Sequence, residues 1–202
     1  MKLVIMSKPT FFVEEDKILA TLFDEGMDSL HLFKPGSSPL YAERLLSLLP
    51  DEYYKRITVH EHFYLKSEYG LEGIHLDDAT AAPLGGYRGR VGRTCRDLSL
   101  LKEMKRKSNY VFLGNLFDCI EMKGEKANFN MAELEATSRR GLIDRHVYAL
   151  GGMSLDHVRM ARDLGFGGVV ICGDLWKRFD IHSQSDFKDI ITHFERLRKA
   201  VD

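Results

Sequence analysis

The strongest constraint on the fold is an alternation of short β-branched runs with longer segments whose apolar residues have helical spacing. Strands are predicted at Leu3–Lys8, Ser29–Lys34, Ile57–Glu61, Gly73–Asp77, Arg90–Cys95, Tyr110–Phe117, His146–Gly151 and Gly168–Gly173. Helices are predicted at Glu14–Glu25, Leu40–Leu49, Asp97–Lys107, Met131–Arg140, Leu155–Leu164 and Phe187–Val201. Pro39 begins one of these helices and Ser154 is the expected N-cap of another. Strands that alternate with helices in this way predict a parallel sheet.

Eight strands in 202 residues predict one α/β domain over residues 1–202, a single (β/α)8 TIM barrel near the lower size limit of that fold. An open doubly wound sheet is the alternative. That fold favours a glycine-rich phosphate turn after its first strand, whereas the first run here ends in Ser7–Lys8–Pro9–Thr10. The barrel is therefore preferred.

Composition narrows the class of protein. The formal net charge of −1 provides no overall field that would attract nucleic acid or a membrane surface. No apolar run approaches the roughly 20 residues of a membrane span, and the N-terminal one is shorter than a signal-peptide core. The three cysteines (Cys95, Cys119 and Cys172) form no CxxC pair. We therefore expect a protein of the reducing cytoplasm.

Barrel enzymes carry their reactive groups at the C-terminal ends of the strands, so these positions are the candidate site. The seventh run ends in Gly151–Gly152 and the eighth in Cys172–Gly173. Glycines at such ends allow an anion to approach the backbone N–H groups closely, and the loops after strands seven and eight commonly bind phosphate. A plain turn is the alternative for each glycine. The four residues are predicted to bind phosphate.

Acidic and histidine side chains follow the third and fourth runs. Glu61 with Asp77 or Asp78 could hold Mg²⁺, which prefers oxygen ligands and often bridges to substrate phosphates. The alternative is that Glu61 caps the next helix and that the two aspartates form an exposed turn. His60, His62 and His75 suggest zinc as a lesser possibility, provided that strand geometry continues through His62.

Two lysines are candidates for contacts with phosphate or pyrophosphate. Lys34 closes the second run, and Lys123 lies in the long loop 118–129 after the sixth. This loop could close over a substrate as a lid. A solvated lysine is the alternative interpretation of Lys123.

Seven segments, taken in order, resemble the thiamine phosphate synthase/TenI family as far as about Trp176. They are SLHLFKPG at Ser29–Gly36, VHEHFYL at Val59–Leu65, GIHLDD at Gly73–Asp78, GRTCR at Gly92–Arg96, LGNLFDCIEMKG at Leu113–Gly124, YALGGM at Tyr148–Met153 and VVICG at Val169–Gly173. The family is known as a small (β/α)8 barrel. It includes the synthase, which joins a pyrimidine pyrophosphate to a thiazole phosphate with loss of pyrophosphate, and thiazole tautomerases.

The resemblance implies roles for individual residues. His31, Thr94 and Arg96 stand near substrate-binding positions of the family, and Glu61 replaces a metal-binding aspartate. Asp77 is the expected second Mg²⁺ ligand. Catalytic roles are expected for Lys34, His60, His75 and Lys123.

The sequence departs from the family pattern at residues expected to bind pyrophosphate. Phe33, for example, lies near the position of an arginine that binds pyrophosphate in the family. The resemblance implies a synthase first. A tautomerase is the second possibility, with His31, His60 or His75 as acid–base group, although the sequence has no histidine between Tyr110 and Phe129, where that type carries one. A non-catalytic thiazole-phosphate-binding protein is the third. Small phosphorylated substrates and a homodimer are the expected partners.

Overall fold

Eight parallel strands close into a barrel in the computed structural model, which describes residues 1–78, 80–83, 85–180 and 187–202. The strands are β1 (Lys2–Met6), β2 (Leu30–Leu32), β3 (Ile57–Val59), β4 (Gly73–Leu76), β5 (Arg90–Cys95), β6 (Tyr110–Leu113), β7 (Val147–Ala149) and β8 (Gly168–Ile171). Each strand pairs with its neighbours in the chain, and β8 pairs with β1 to close the ring. The predicted (β/α)8 TIM barrel is confirmed.

Helices surround this barrel. They are α1 (Glu15–Asp24), α2 (Pro39–Leu48), α3 (Tyr64–Tyr69), α4 (Leu101–Lys107), α5 (Met131–Arg139), α6 (Val158–Asp163), α7 (Gly173–Trp176) and α8 (Lys188–Val201). The apolar residues that have helical spacing in α1, among them Ile18, Leu19 and Leu22, are fully buried against the strands. None of the helices described is long and apolar enough to cross a membrane.

Several elements differ from their predicted bounds. Helices α3 and α7 were not predicted, and β3 ends at Val59 because the chain turns at His62, whose φ is 51°. Ser154 makes no side-chain cap hydrogen bond, and a 3-10 turn over Leu155–His157 precedes α6. The expected capping role is taken by Asp174, whose carboxylate accepts a hydrogen bond from the Leu155 N–H at 3.1 Å. The residue expected to precede the last helix, Asp186, lies outside the described residues.

The interior of the barrel has two chemically different halves. One half is apolar and aromatic and comes from β1, β6, β7 and β8: Val4, Met6, Tyr110, Phe112, Tyr148 and Val170. The other half, from β2 to β5, is polar and carries three buried histidines with a threonine: His31, His60, His75 and Thr94. Because inward-facing residues alternate along each strand, this polar half is part of the packed core and extends to the C-terminal mouth.

Candidate active site

A small cavity of about 60 Å³ opens at the C-terminal mouth of the barrel. It is lined by all four residues predicted to bind phosphate: Gly151, Gly152, Cys172 and Gly173. Residues from the loop after β6, among them Cys119 and Ile120, line it as well. The ends of β7 and β8 therefore meet at one concave surface, where backbone N–H groups can face a single anion.

The glycines at the end of β7 are required by backbone conformation and by space. Gly151 has φ 89° and Gly152 has φ 61°, a region that favours glycine. A Cβ on Gly152 would lie 2.6 Å from Cβ of Phe117, and one on Gly151 would lie 2.5 Å from Cβ of Asn115. These positions thus accept a closely packed loop as well as a ligand.

That loop is the predicted lid, and it lies against the phosphate glycines. A Cβ on Gly173 would approach Cβ of Ile120 to 2.6 Å. The loop is held in place by an ion pair of 2.7 Å between Lys126 and Asp118, and by the hydrogen bond of 2.9 Å from Arg96 to Asn115 Oδ1. Its position agrees with a cover over the cavity.

Two residues with predicted roles lie on the exposed side of this region. Lys123 is exposed on the lid loop, and Arg96 is exposed at the end of β5. The hydrogen bond from Arg96 to Asn115 shows that its guanidinium is directed towards the loop. Lys123 and Arg96 thus place two positive charges near the lid loop.

The predicted site residues of the polar half converge on one network. His60 Nδ1 lies 2.7 Å from Asp77 Oδ2, and His60 Nε2 lies 2.9 Å from His31 Nδ1. His75 Nε2 lies 2.9 Å from Thr94 Oγ1, and the Thr94 hydroxyl donates to Asp77 Oδ1 at 3.1 Å. Asp77 is 41% exposed, so it connects the buried histidines to the mouth.

Burial controls the charge of these imidazoles. Desolvation lowers the pKa of His31 and of His75 well below the ordinary range, and the neighbouring His60 adds to the effect on both. Both rings are therefore neutral at physiological pH. A neutral imidazole can accept a proton or bind a metal.

His62 does not belong to this network. The strand ends before it, and its Nε2 lies 2.9 Å from the carbonyl oxygen of Ser37. Strand geometry therefore does not continue through His62, as a zinc site that includes His60 and His62 would require.

Glu61 lies at the end of β3, beside Asp77 at the end of β4. Its Oε2 accepts a hydrogen bond from the Lys34 N–H at 3.2 Å. Burial raises the pKa of Glu61 despite this hydrogen bond, and the negative charge of Asp77 adds to the rise. Two neighbouring carboxylates offer the oxygen ligands that Mg²⁺ prefers, so these residues fit Mg²⁺. Glu61 is not the N-cap of α3, which is Phe63.

Lys34 is engaged in a buried ion pair. Its Nζ lies 2.5 Å from Glu15 Oε1 and donates to the carbonyl oxygen of Thr10 at 3.0 Å. It also lies 4.4 Å from the centre of the Phe11 ring. Both members of the Lys34–Glu15 pair are 2% exposed. The pair joins the end of β2 to the first turn of α1.

Sequence reasoning missed Glu15 and Ile120. Glu15 stands in the acidic run Glu14–Asp16, which is typical of a solvated first turn, yet its spacing to Ile18, Leu19 and Leu22 places it on the buried face of α1. That spacing could have identified it. Ile120 gives no such signal, because its packing on Gly173 depends on the path of the lid loop.

Known proteins resemble the chain in sequence and structure, although no family model matches it. The crystal structure of a thiamine phosphate pyrophosphorylase from Bacteroides thetaiotaomicron is 41% identical, has a TM-score of 0.89 and covers 100% of this chain and 98% of its own. A thiamine-phosphate synthase of Serratia proteamaculans is 27% identical over 169 residues, 79% of each chain.

A thiamine phosphate pyrophosphorylase from Pyrococcus furiosus shares the fold with a TM-score of 0.74 at 17% identity, over 99% of this chain and 95% of its own. At that identity the likeness concerns the fold alone. The match of 41% over the whole length is stronger, because it includes every strand end of the candidate site. The chain therefore belongs to the thiamine phosphate synthase/TenI family.

Proposed function

We propose that this protein joins a hydroxymethylpyrimidine pyrophosphate to a thiazole phosphate and releases pyrophosphate, a step of thiamine biosynthesis. The observation that carries the proposal is the full-length relationship to a thiamine phosphate pyrophosphorylase together with one cavity lined by Gly151, Gly152 and Gly173. The relatives' names supply the reaction. The cavity supplies the expected place for the thiazole phosphate.

The thiazole phosphate would bind through backbone N–H groups of the glycines, which need no side-chain cation. The ring would then extend into the cavity past the apolar residues Met6, Phe33 and Val170. Such a surface would exclude water from the reacting pyrimidine, which would otherwise be hydrolysed. Phe33 would thus contribute to the apolar wall of the cavity rather than to binding of an anion.

The pyrophosphate would bind on the opposite side of the mouth. Glu61 and Asp77 are the proposed Mg²⁺ ligands, and Mg²⁺ neutralises charge on a leaving pyrophosphate. Arg96 and Lys123 would add positive charge when the lid closes. Lys34 is held by Glu15, so it would act on the site only by keeping β2 and α1 in place.

A Mg²⁺-dependent synthase assay with both substrates tests the proposal. Glu61→Gln keeps the size of the side chain and removes the charge, so we expect activity to fall by about 100-fold or more. The control is Glu68→Gln on the exposed face of α3, which should leave activity unchanged. Absence of pyrophosphate release by the wild-type protein would refute the synthase proposal.

A tautomerase is the second candidate, and the His60–Asp77 pair favours it. The Asp77 carboxylate, 2.7 Å from the buried His60 imidazole, would orient the ring and link it to the mouth for proton transfer. This reaction needs the thiazole phosphate site but no pyrophosphate site. Isomerisation of the thiazole phosphate without any synthase activity would support it. Calorimetric binding without either reaction would identify a binding protein.

Small phosphorylated molecules are the proposed partners, in keeping with the family. The three cysteines are free thiols in the described structure, which suits the proposed reducing cytoplasm. A homodimer stays a prediction that light scattering can test.

A further inference from the structure

Three histidines of the polar half lie close enough to share one ion. His31, His60 and His75 are buried, and one ring nitrogen of each lies within 4.8 Å of the others. They come from the adjacent strand ends of β2, β3 and β4. No other group of three such ligands occurs among residues 1–78, 80–83, 85–180 and 187–202.

Each histidine has an outer partner that fixes its orientation. His60 Nδ1 faces Asp77 at 2.7 Å, His75 Nε2 faces Thr94 at 2.9 Å, and His31 Nε2 faces the Tyr110 hydroxyl at 3.4 Å. Metal-binding histidines usually donate their second N–H to such a carboxylate or hydroxyl. The nitrogens that could face an ion are His60 Nε2 and His31 Nδ1, which lie 2.9 Å apart, and His75 Nδ1, which lies 3.4 Å from the Tyr110 hydroxyl.

The contacts of this network form a closed ring of six side chains, since the Tyr110 hydroxyl also lies 3.4 Å from His75 Nδ1 and Thr94 donates to Asp77.

With a metal ion between the three rings, the outer nitrogens all donate: His60 to Asp77, His75 to Thr94 and His31 to Tyr110. The Asp77 carboxylate offsets part of the positive charge. The tautomers that a metal requires are thus the ones that satisfy every outer partner.

We propose that His31, His60 and His75 bind a divalent transition-metal ion, with Zn²⁺ as the best fit. Imidazole nitrogens suit zinc, and neutral rings need no deprotonation. Zinc–nitrogen bonds of about 2.0–2.1 Å place tetrahedral ligands about 3.3 Å apart. The His31 and His60 nitrogens stand at 2.9 Å and all three ligand atoms lie within 4.8 Å of one another, so the rings must move together to bind the ion. Mg²⁺ is excluded from this site because it prefers oxygen ligands.

The test is calorimetric titration of the chelator-treated full-length protein with Zn²⁺, and with Co²⁺ for its visible absorption. We expect one equivalent of either ion, with the absorption of four-coordinate cobalt, and no displacement by excess Mg²⁺. His60→Asn and His31→Gln each replace a buried imidazole by a side-chain amide, which keeps hydrogen-bonding capacity. Each should weaken Zn²⁺ binding by at least about 100-fold, and Asp77→Asn by about 10–100-fold.

His146→Ala is the matched control, because this histidine is exposed and lies outside the polar half. It should bind Zn²⁺ as the wild type does. Circular dichroism of each variant separates loss of the site from loss of the fold. No stoichiometric binding by the wild type, or unchanged affinity in a folded His60→Asn variant, would overturn the proposal. The titration contains no thiamine precursor, so its outcome is independent of the synthase assay.

Discussion

Replacing the buried Lys34–Glu15 pair, singly and together, tests whether Lys34 is a structural residue. Both side chains are 2% exposed, and Glu15 Oε2 has no hydrogen-bond partner in the described structure. Burial raises the pKa of Glu15 and lowers that of Lys34, in each case against the attraction of the partner. For this pair, the cost of desolvation therefore exceeds the gain from pairing.

These pKa shifts predict different changes in stability for the single and the double variant. Lys34→Met leaves a buried carboxylate without its cation and should lower the free energy of unfolding by about 3–5 kcal/mol. For a chain of this length, that corresponds to a fall in Tm of about 6–20 °C. Adding Glu15→Leu removes the unpaired charge. The double variant should unfold within about 1 kcal/mol of the wild type or be more stable by up to about 4 kcal/mol.

The assay is urea denaturation of the wild type and the three variants, followed by kcat/KM measurements at a temperature where the double variant is folded. Thr10 is exposed, so water can replace Lys34 at its carbonyl oxygen. The double variant should then keep its activity within a few-fold. A double variant as unstable as Lys34→Met would refute the desolvation reasoning. A stable double variant that has lost activity about 100-fold would assign Lys34 to catalysis.

Two further predictions concern the phosphate loop and the pH dependence of stability. Gly152→Ala should raise KM for the thiazole phosphate and displace the lid. Gly141→Ala, at a position with φ 71° and open space, is the control and should lower stability only by the backbone cost of about 1–2 kcal/mol. Equal effects of the two substitutions would contradict a packing role for Gly152. Burial acts to raise the pKa of Asp174, but hydrogen bonds from Lys177 and His193 lower it overall. Its contribution to stability is thus present above about pH 3.8 and is lost as pH falls through the lower folded value. Asp174→Asn should reduce stability at pH 7 and weaken the acid dependence in denaturation curves; an unchanged pH profile would count against it.

The fold could be predicted because eight strand-like runs are interleaved with six segments of helical periodicity. That the glycines at the ends of β7 and β8 line one cavity could also be predicted, since the strand order fixes which loops meet at the mouth. The direction of Lys34 could not, because it depends on Phe11 and Glu15, which approach only when α1 packs on the barrel. The meeting of His31 with His60 likewise depends on the register, in which His31 stands opposite Thr58.

The close packing of the lid loop on the two phosphate loops places a double demand on their glycines. Space for Phe117 and Ile120 is needed whether or not an anion is present. Selection for a well-seated lid alone would keep Gly152 and Gly173 unchanged through a shift in substrate. A related protein with a different activity would therefore keep the proposed phosphate-binding loops. Its changes would be expected on the other side of the mouth, where β2 to β5 end.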